Sequence, residues 1–250
     1  MKNKLTHIVT ALVLASTSVF SGESAKSPPV VDASTVSRVS GTLSTGYANE
    51  YLWRGTSLGE DLLFGELELS YDVTDTTVLE LQGFYGSFDS DGGDRTDEVD
   101  GSVGVRQQFG KLTALGGYSI YDLPDAFGGT QQELYGGFEY ELPYSVTLGA
   151  TYNFSLEDDL RDYTEVSLSA PFVLVTASDG SATQFFVGKV SQGIYLEDGE
   201  AVHTTLSVLY NASLTKSFSI APFVEYNFVQ DEEIAQEDGA YWGIKALYRF

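Results

Sequence analysis

Alternation with a period of two, sustained over stretches of about ten residues and repeated along most of the chain, constrains this sequence more than any other feature. From Leu63 to Tyr71 one face reads Leu63, Gly65, Leu67, Leu69 and Tyr71, and the other reads Phe64, Glu66, Glu68 and Ser70. From Glu98 to Phe109, Val99, Gly101, Val103, Val105, Gln107 and Phe109 alternate with Glu98, Asp100, Ser102, Gly104, Arg106 and Gln108. Val146 to Ser155 and Phe218 to Phe228 split the same way, and no charge falls on the apolar face of any of them. Period two is the signature of strands, whose side chains point to opposite sides in turn. Helical periodicity persists nowhere, and no apolar run approaches the ~20 residues that a spanning helix needs.

Strand length decides between two all-β readings. Soluble sandwiches use strands of about five or six residues with the apolar face turned inward. Segments of about ten residues match a tilted strand crossing a bilayer. An uncharged apolar face fits lipid, where a Lys or Arg at the midplane costs about 2–4 kcal/mol. Backbone groups cannot be left unpaired in hydrocarbon, so strands this numerous must close on themselves. The expected fold is all-β, a transmembrane antiparallel β-barrel of about twelve strands. Thr113 to Tyr121 and Gln184 to Tyr195 are the segments whose sides alternation defines least.

Aromatic residues at strand ends, among them Tyr71, Tyr85, Phe109, Tyr140, Tyr226, Trp242 and Phe250, are expected in the interfacial girdles. Tight connections at Asp72–Thr76, Phe109–Lys111, Leu142–Tyr144 and Ser213–Ser217 alternate with longer acidic ones. Short turns face the periplasm in such barrels and long loops face outward. The last ten residues place Trp242, Ile244, Ala246, Tyr248 and Phe250 on one face. This ending resembles the carboxy-terminal signal of outer-membrane barrels, which implies the barrel assembly machinery as a partner. At the other end, Lys2 and Lys4 precede an apolar run from Ile8 to Leu14 and small residues through Ala25, so residues 1–25 are expected to be an export signal. Residues 26–37 read as a disordered lead-in and 38–250 as the barrel, in a Gram-negative-type outer membrane. The chain has no cysteine, so neither a disulfide framework nor a lipid anchor on cysteine is available.

The formal net charge is −23, which disfavours nucleic acid and favours cations and neutral polar solutes as partners. Strand phase turns Glu66, Glu68, Glu80, Glu98, Asp100, Glu133, Glu139, Glu141, Glu165 and Glu225 inward, and with them Arg106, Lys189, Lys245 and Arg249. Acids and bases facing each other across a lumen would suit a porin-like passive channel for small solutes, mildly cation-preferring. The same residues could instead close a non-conducting structural or adhesive barrel with acidic external loops. An enzymatic reading has little to work with. His203, two residues before Thr205, resembles loosely the His-x-Ser spacing of outer-membrane phospholipases, but a threonine replaces the serine nucleophile. Asp89, Asp91 and Asp94 supply oxygen ligands for calcium without the spacing of a known loop. No catalytic group, metal or cofactor is therefore expected.

The segment from Gly46 to Ser57 contains Tyr51, Trp53, Arg54, Gly55 and Ser57 as an aromatic-x-aromatic-Arg-Gly-x-Ser run. It resembles the opening motif of the TorF-type putative porins, with Trp53 in place of the commoner phenylalanine. The resemblance implies an outer-membrane barrel. Within it, Arg54 is expected to anchor the first hairpin or to pair with Glu66 or Glu68.

Overall fold

The computed structural model describes residues 38–90, 93–122, 129–157, 161–178, 182–195, 200–230 and 238–250. The expected export signal and lead-in lie outside the described residues, as do Asp91 and much of the acidic loop sequence. The described chain is twelve strands: β1 (Val39–Trp53), β2 (Thr56–Asp72), β3 (Thr77–Asp89), β4 (Arg95–Phe109), β5 (Leu112–Asp122), β6 (Thr130–Glu141), β7 (Thr147–Ser155), β8 (Tyr163–Thr176), β9 (Ala182–Tyr195), β10 (Glu200–Ser213), β11 (Phe218–Val229) and β12 (Gly239–Arg249). Among the described residues no helix is long and apolar enough to cross a membrane.

Each strand pairs antiparallel with the next, and β12 pairs with β1, so the sheet is a closed barrel. The closing register runs from Thr42 opposite Arg249 to Ala48 opposite Gly243. Phe250 and Gly41 extend it by exchanging two backbone hydrogen bonds of 3.0 Å. Phe250 thus extends the seam between β12 and β1, the backbone pairing that a bilayer demands of a barrel.

Leu43, Leu67, Leu81, Val103, Phe138, Leu168, Val208 and Ile244 stand exposed on the outer wall, a belt that only lipid could cover at low cost. All seven girdle aromatics are exposed as well. β9 explains why alternation blurred there: Phe185 and Val187 are buried inside while Phe186 and Val190 face out, so both faces are apolar.

The end where β1 begins and β12 finishes, the terminal end, has short turns, such as Gly110–Lys111 between β4 and β5. At the opposite end the β1–β2 connection breaks the expectation of long loops, because it is only Arg54 and Gly55. Both have positive φ, 51° and 81°, the arrangement of a type I′ hairpin turn. β1 stops pairing with β12 after Ala48, although it continues to Trp53, and the Trp242 backbone N–H donates instead to Asn49 Oδ1 at 2.6 Å. Register shifts at Tyr51/Leu52 and at Glu60/Leu63 mark bulges on both arms of the hairpin. Bulges add local twist and bend a strand out of its plane. The hairpin tip leaves the wall here and enters the lumen.

An apolar cluster comes in with it. Tyr51, Leu58, Leu62, Phe64 and Phe88 are buried, and Trp53, Phe84 and Tyr121 pack against them. Tyr51 meets Phe88 edge-on at 5.0 Å between ring centroids. Leu62 and Phe64 share the inward parity of Glu66 and Glu68, so one strand face is apolar near the hairpin and acidic further down.

Candidate functional site

Two kinds of ionic contact line the lumen, and they differ in what they span. The first runs along the wall. Lys189 on β9 donates to Glu165 on neighbouring β8 at 2.6 Å. Arg106 on β4 lies 3.7 Å from Glu80 on β3 and hydrogen-bonds Glu139 on β6, gathering three of the expected lumen residues. Lys245 on β12 sits 4.0 Å from Glu66 on β2, which also accepts 2.5 Å from the Ser44 hydroxyl on β1 between them. Arg249 donates to Ser219 Oγ at 2.8 Å on β11. Every one of these links strands at most two apart in the barrel order.

The second kind crosses the ring. Arg54 Nη2 lies 2.5 Å from Glu133 Oε2 on β6, and its guanidinium carbon is 4.6 Å from the ring centroid of Tyr163 on β8. β6 and β8 flank β7, which stands opposite β1 in the barrel order. The same guanidinium is 4.6 Å from Trp53, so it is held between two aromatic faces. Trp53 in turn meets Tyr121 edge-on, and Tyr163 meets Tyr195. Arg54 and Glu133 side chains are 7% and 0% exposed, whereas Lys245 and Glu66 keep 15% and 20%. The crossing pair is dry; the wall pair is partly wet.

Gly55 completes the docking. Its carbonyl accepts from Asn227 Nδ2 at 3.1 Å on β11. A side-chain carbon at Gly55 would come within 2.6 Å of the His203 ring, so glycine is required by contact as well as by φ. With Asn227 Nδ2 so committed, its Oδ1 accepts the Thr205 hydroxyl at 2.9 Å. Thr205 Oγ1 then accepts from His203 Nδ1 at 3.1 Å, and His203 Nε2 shares a hydrogen bond of 2.9 Å with the Tyr163 hydroxyl. The chain of donors requires a proton on Nδ1, and in the neutral imidazole Nε2 is then the acceptor. In this arrangement His203 Nδ1 donates a hydrogen bond to Thr205 and does not accept one from it, which is the reverse of what a phospholipase-like base would do.

The remaining candidates fall into place individually. Glu68 shares the inner face of β2 with Glu66, Glu141 lies on β6 near the terminal end opposite Thr147, and Glu225 is on the inner face of β11. Glu98 and Asp100 on β4 differ from the expectation that inward acids face bases across the lumen: Glu98 is fully buried beside Asp100 and the Tyr51 hydroxyl. Of the two expectations for Arg54, the ion pair with Glu66 or Glu68 is not made, since its partner is Glu133. The reason is the bend of the hairpin, which carries Arg54 away from its own strand's neighbours. Asp89 pairs with Arg95 at 2.9 Å, and among the described residues no cluster of three potential ligands could hold a metal.

Sequence reasoning missed the apolar inner cluster and the Tyr163–His203–Thr205–Asn227 chain. Leu58, Leu62 and Phe64 on the acidic parity were the available signal for the cluster. Nothing local to β8, β10 or β11 announces a hairpin that arrives from β1.

Taken together, these features define a closed, twelve-stranded antiparallel barrel of the outer-membrane class with its first hairpin folded inward. The fold is similar to an outer-membrane channel from Pseudomonas putida F1, at 12% identity over 90% of this chain and 99% of that one, with a TM-score of 0.54. It is similar to the NanC porin at 10% identity, over 83% and 98% of the two chains, with a TM-score of 0.53. LpxR from Salmonella typhimurium gives 11% identity, 83% and 99% coverage and a TM-score of 0.50. At such identities the likeness is one of fold. No family model matches the sequence, and no curated protein is significantly similar to it.

Proposed function

We propose that the protein is a passive outer-membrane channel for small solutes, mildly cation-preferring, narrowed at one end by its β1–β2 hairpin. The observation that carries this reading is the course of the wall ion pairs: they link nearby strands and do not bridge the lumen, leaving Arg54 as the crossing contact among the described residues. Acids outnumber bases by 36 to 13 over the whole chain, and inward carboxylates would concentrate cations. A channel and a porin among the fold neighbours agree with it. The likeness to TorF-type porins rests on Tyr51, Trp53, Arg54, Gly55 and Ser57, and these are the residues of the inward hairpin.

The proposal extends to the lining and the assembly route. The inward charged residues, Glu66 and Glu68 foremost, line the solute path, apart from Glu98 and Glu133, which the packed hairpin end buries, and the strand ending at Phe250 is read by the barrel assembly machinery during insertion. A non-conducting structural barrel is the second reading, favoured by the packed, dry surroundings of Tyr51, Phe88 and Glu133. Planar-bilayer recordings on refolded protein decide between them. Discrete conductance steps with a cation-selective reversal potential support the channel, and persistently silent bilayers support the second reading. Replacing Glu66 and Glu68 together by Gln is expected to move the reversal potential toward zero; an unmoved potential removes both from the path.

A further inference from the structure

The grip on Arg54 is more elaborate than a hairpin anchor needs. A planar cation lies between Trp53 and Tyr163, each 4.6 Å away, and meets a fully buried carboxylate at 2.5 Å. Tyr121 meets Trp53 edge-on and Tyr195 meets Tyr163 edge-on, which backs both rings of the grip. Aromatic faces with an acidic floor are the general means of recognising a flat organic cation. The fit is nevertheless incomplete. Glu133 Oε1 and Arg54 Nη1 are both buried and have no hydrogen-bond partner among the described residues. A guanidinium and a carboxylate can form two parallel hydrogen bonds, and here only one is made. The tether explains why. Arg54 sits in the left-handed region at φ 51°, at a turn position that favours Asn, Asp or Gly. The backbone holds the side chain in an approach that leaves half the fork unused.

We propose that the pocket around Arg54, formed by Glu133, Tyr163 and Trp53, is a recognition site for guanidinium-bearing solutes, filled by the chain's own arginine while the hairpin is seated. A free guanidinium can approach Glu133 end-on and satisfy both oxygens, so an entering solute competes with Arg54 and displaces the hairpin. The site rests on the channel reading, since the solute must reach the lumen, where the acidic wall would concentrate it.

The test uses the full-length refolded barrel. The chain has two tryptophans, Trp53 and Trp242, so Trp242→Phe leaves the pocket's own ring as a fluorescence reporter. Guanidinium chloride is titrated against sodium chloride at equal ionic strength, well below the roughly molar range in which guanidinium unfolds proteins. Trp242→Phe/Arg54→Ala is expected to show a saturable Trp53 response at a guanidinium concentration at least about tenfold lower than Trp242→Phe alone, because the tethered competitor is gone. Adding Glu133→Gln should abolish that gain. If the alanine variant does not fold, as judged by heat-modifiable gel mobility, Arg54→Gln replaces it with the same expectation, since a neutral amide leaves no tethered cation in the pocket. Equal titrations in both backgrounds, or a sodium response that matches guanidinium, overturn the proposal. Bilayer recordings in parallel keep the two readings apart. Silent bilayers for every variant would sink the channel, while the fluorescence titration still decides the site.

Discussion

The two ends of the lumen are built from the same strands and hold themselves together differently. Toward the hairpin, the inner wall is a protein core: Tyr51, Leu62, Phe88, Glu98 and Glu133 are fully buried, and the Arg54–Glu133 contact there crosses the ring. Toward the termini, charges are paired along the wall, as in the Arg106, Glu80 and Glu139 trio and in the partly wet Lys245–Glu66 contact. Inward parity in a membrane barrel therefore does not mean polar. It means screened from lipid, and what fills the space decides the chemistry. Where a hairpin supplies packing partners, apolar side chains are favourable inside; where none arrives, carboxylates and bases satisfy one another.

The largest expected effect lies at the terminal end. Arg106→Ala leaves two buried carboxylates without their shared cation, and removing one partner of a buried ionic group costs about 3–5 kcal/mol. Urea unfolding of the folded barrel in lipid should show it as a lowered midpoint. Arg106→Ala with Glu80→Gln and Glu139→Gln should recover most of the loss. If the single variant is as stable as wild type, the trio is wetter than its burial indicates and the contrast between the two ends weakens.

A comparable loss is expected at the hairpin end for a different reason. Phe88→Ala removes a fully buried ring that packs edge-on against Tyr51, and core Phe→Ala changes cost about 3–5 kcal/mol through lost burial and a residual cavity. Phe109→Ala, on the lipid-facing rim, serves as the control and should cost far less. Equal costs would mean that the hairpin end is an open, lipid-like or watery space and not a core. On the outer wall, Leu67→Arg is expected to destabilise by about 2–4 kcal/mol if that residue lies near the bilayer midplane. The same change at Tyr144, on the terminal turn, should have little effect.

The closed barrel was legible in the chain because its rule is local. A strand between lipid and lumen must alternate, and Leu67, Leu69 and Tyr71 against Glu66, Glu68 and Ser70 display that within one segment. Closure follows from backbone pairing in hydrocarbon and needs no further signal. The candidate site was legible only as a list of inward charges. Arg54 and Glu133 are 79 positions apart, and their contact depends on two bulges and a two-residue turn that alternation does not report. Phe64 could be assigned to the acidic face but not to a core, because the ring's neighbours come from other strands. Pairing partners thus depend on which segments bend inward, and that is set by tertiary packing.

The smallest expected effect concerns the rim, outside both regions. Arg95 donates to Asp89 at 2.9 Å, to the Ser87 hydroxyl at 3.0 Å and to the Ser87 and Asp61 carbonyls, so it clamps β2, β3 and β4 at the hairpin end. Its ionic partner is removed by Asp89→Asn. Both side chains are more than a third exposed, and exposed pairs contribute about 0–1 kcal/mol and weaken with salt. The variant should therefore unfold within about 1 kcal/mol of wild type at low salt and be indistinguishable from it at high salt. The three hydrogen bonds to Ser87 and Asp61 remain, and Ser87 is held in the ladder between Leu63 and Asp97. A cost near that of Arg106→Ala would mean that water is excluded from the rim. The dry region would then extend from the hairpin core to the barrel mouth, and the contrast drawn above would be one between a sealed end and an open one.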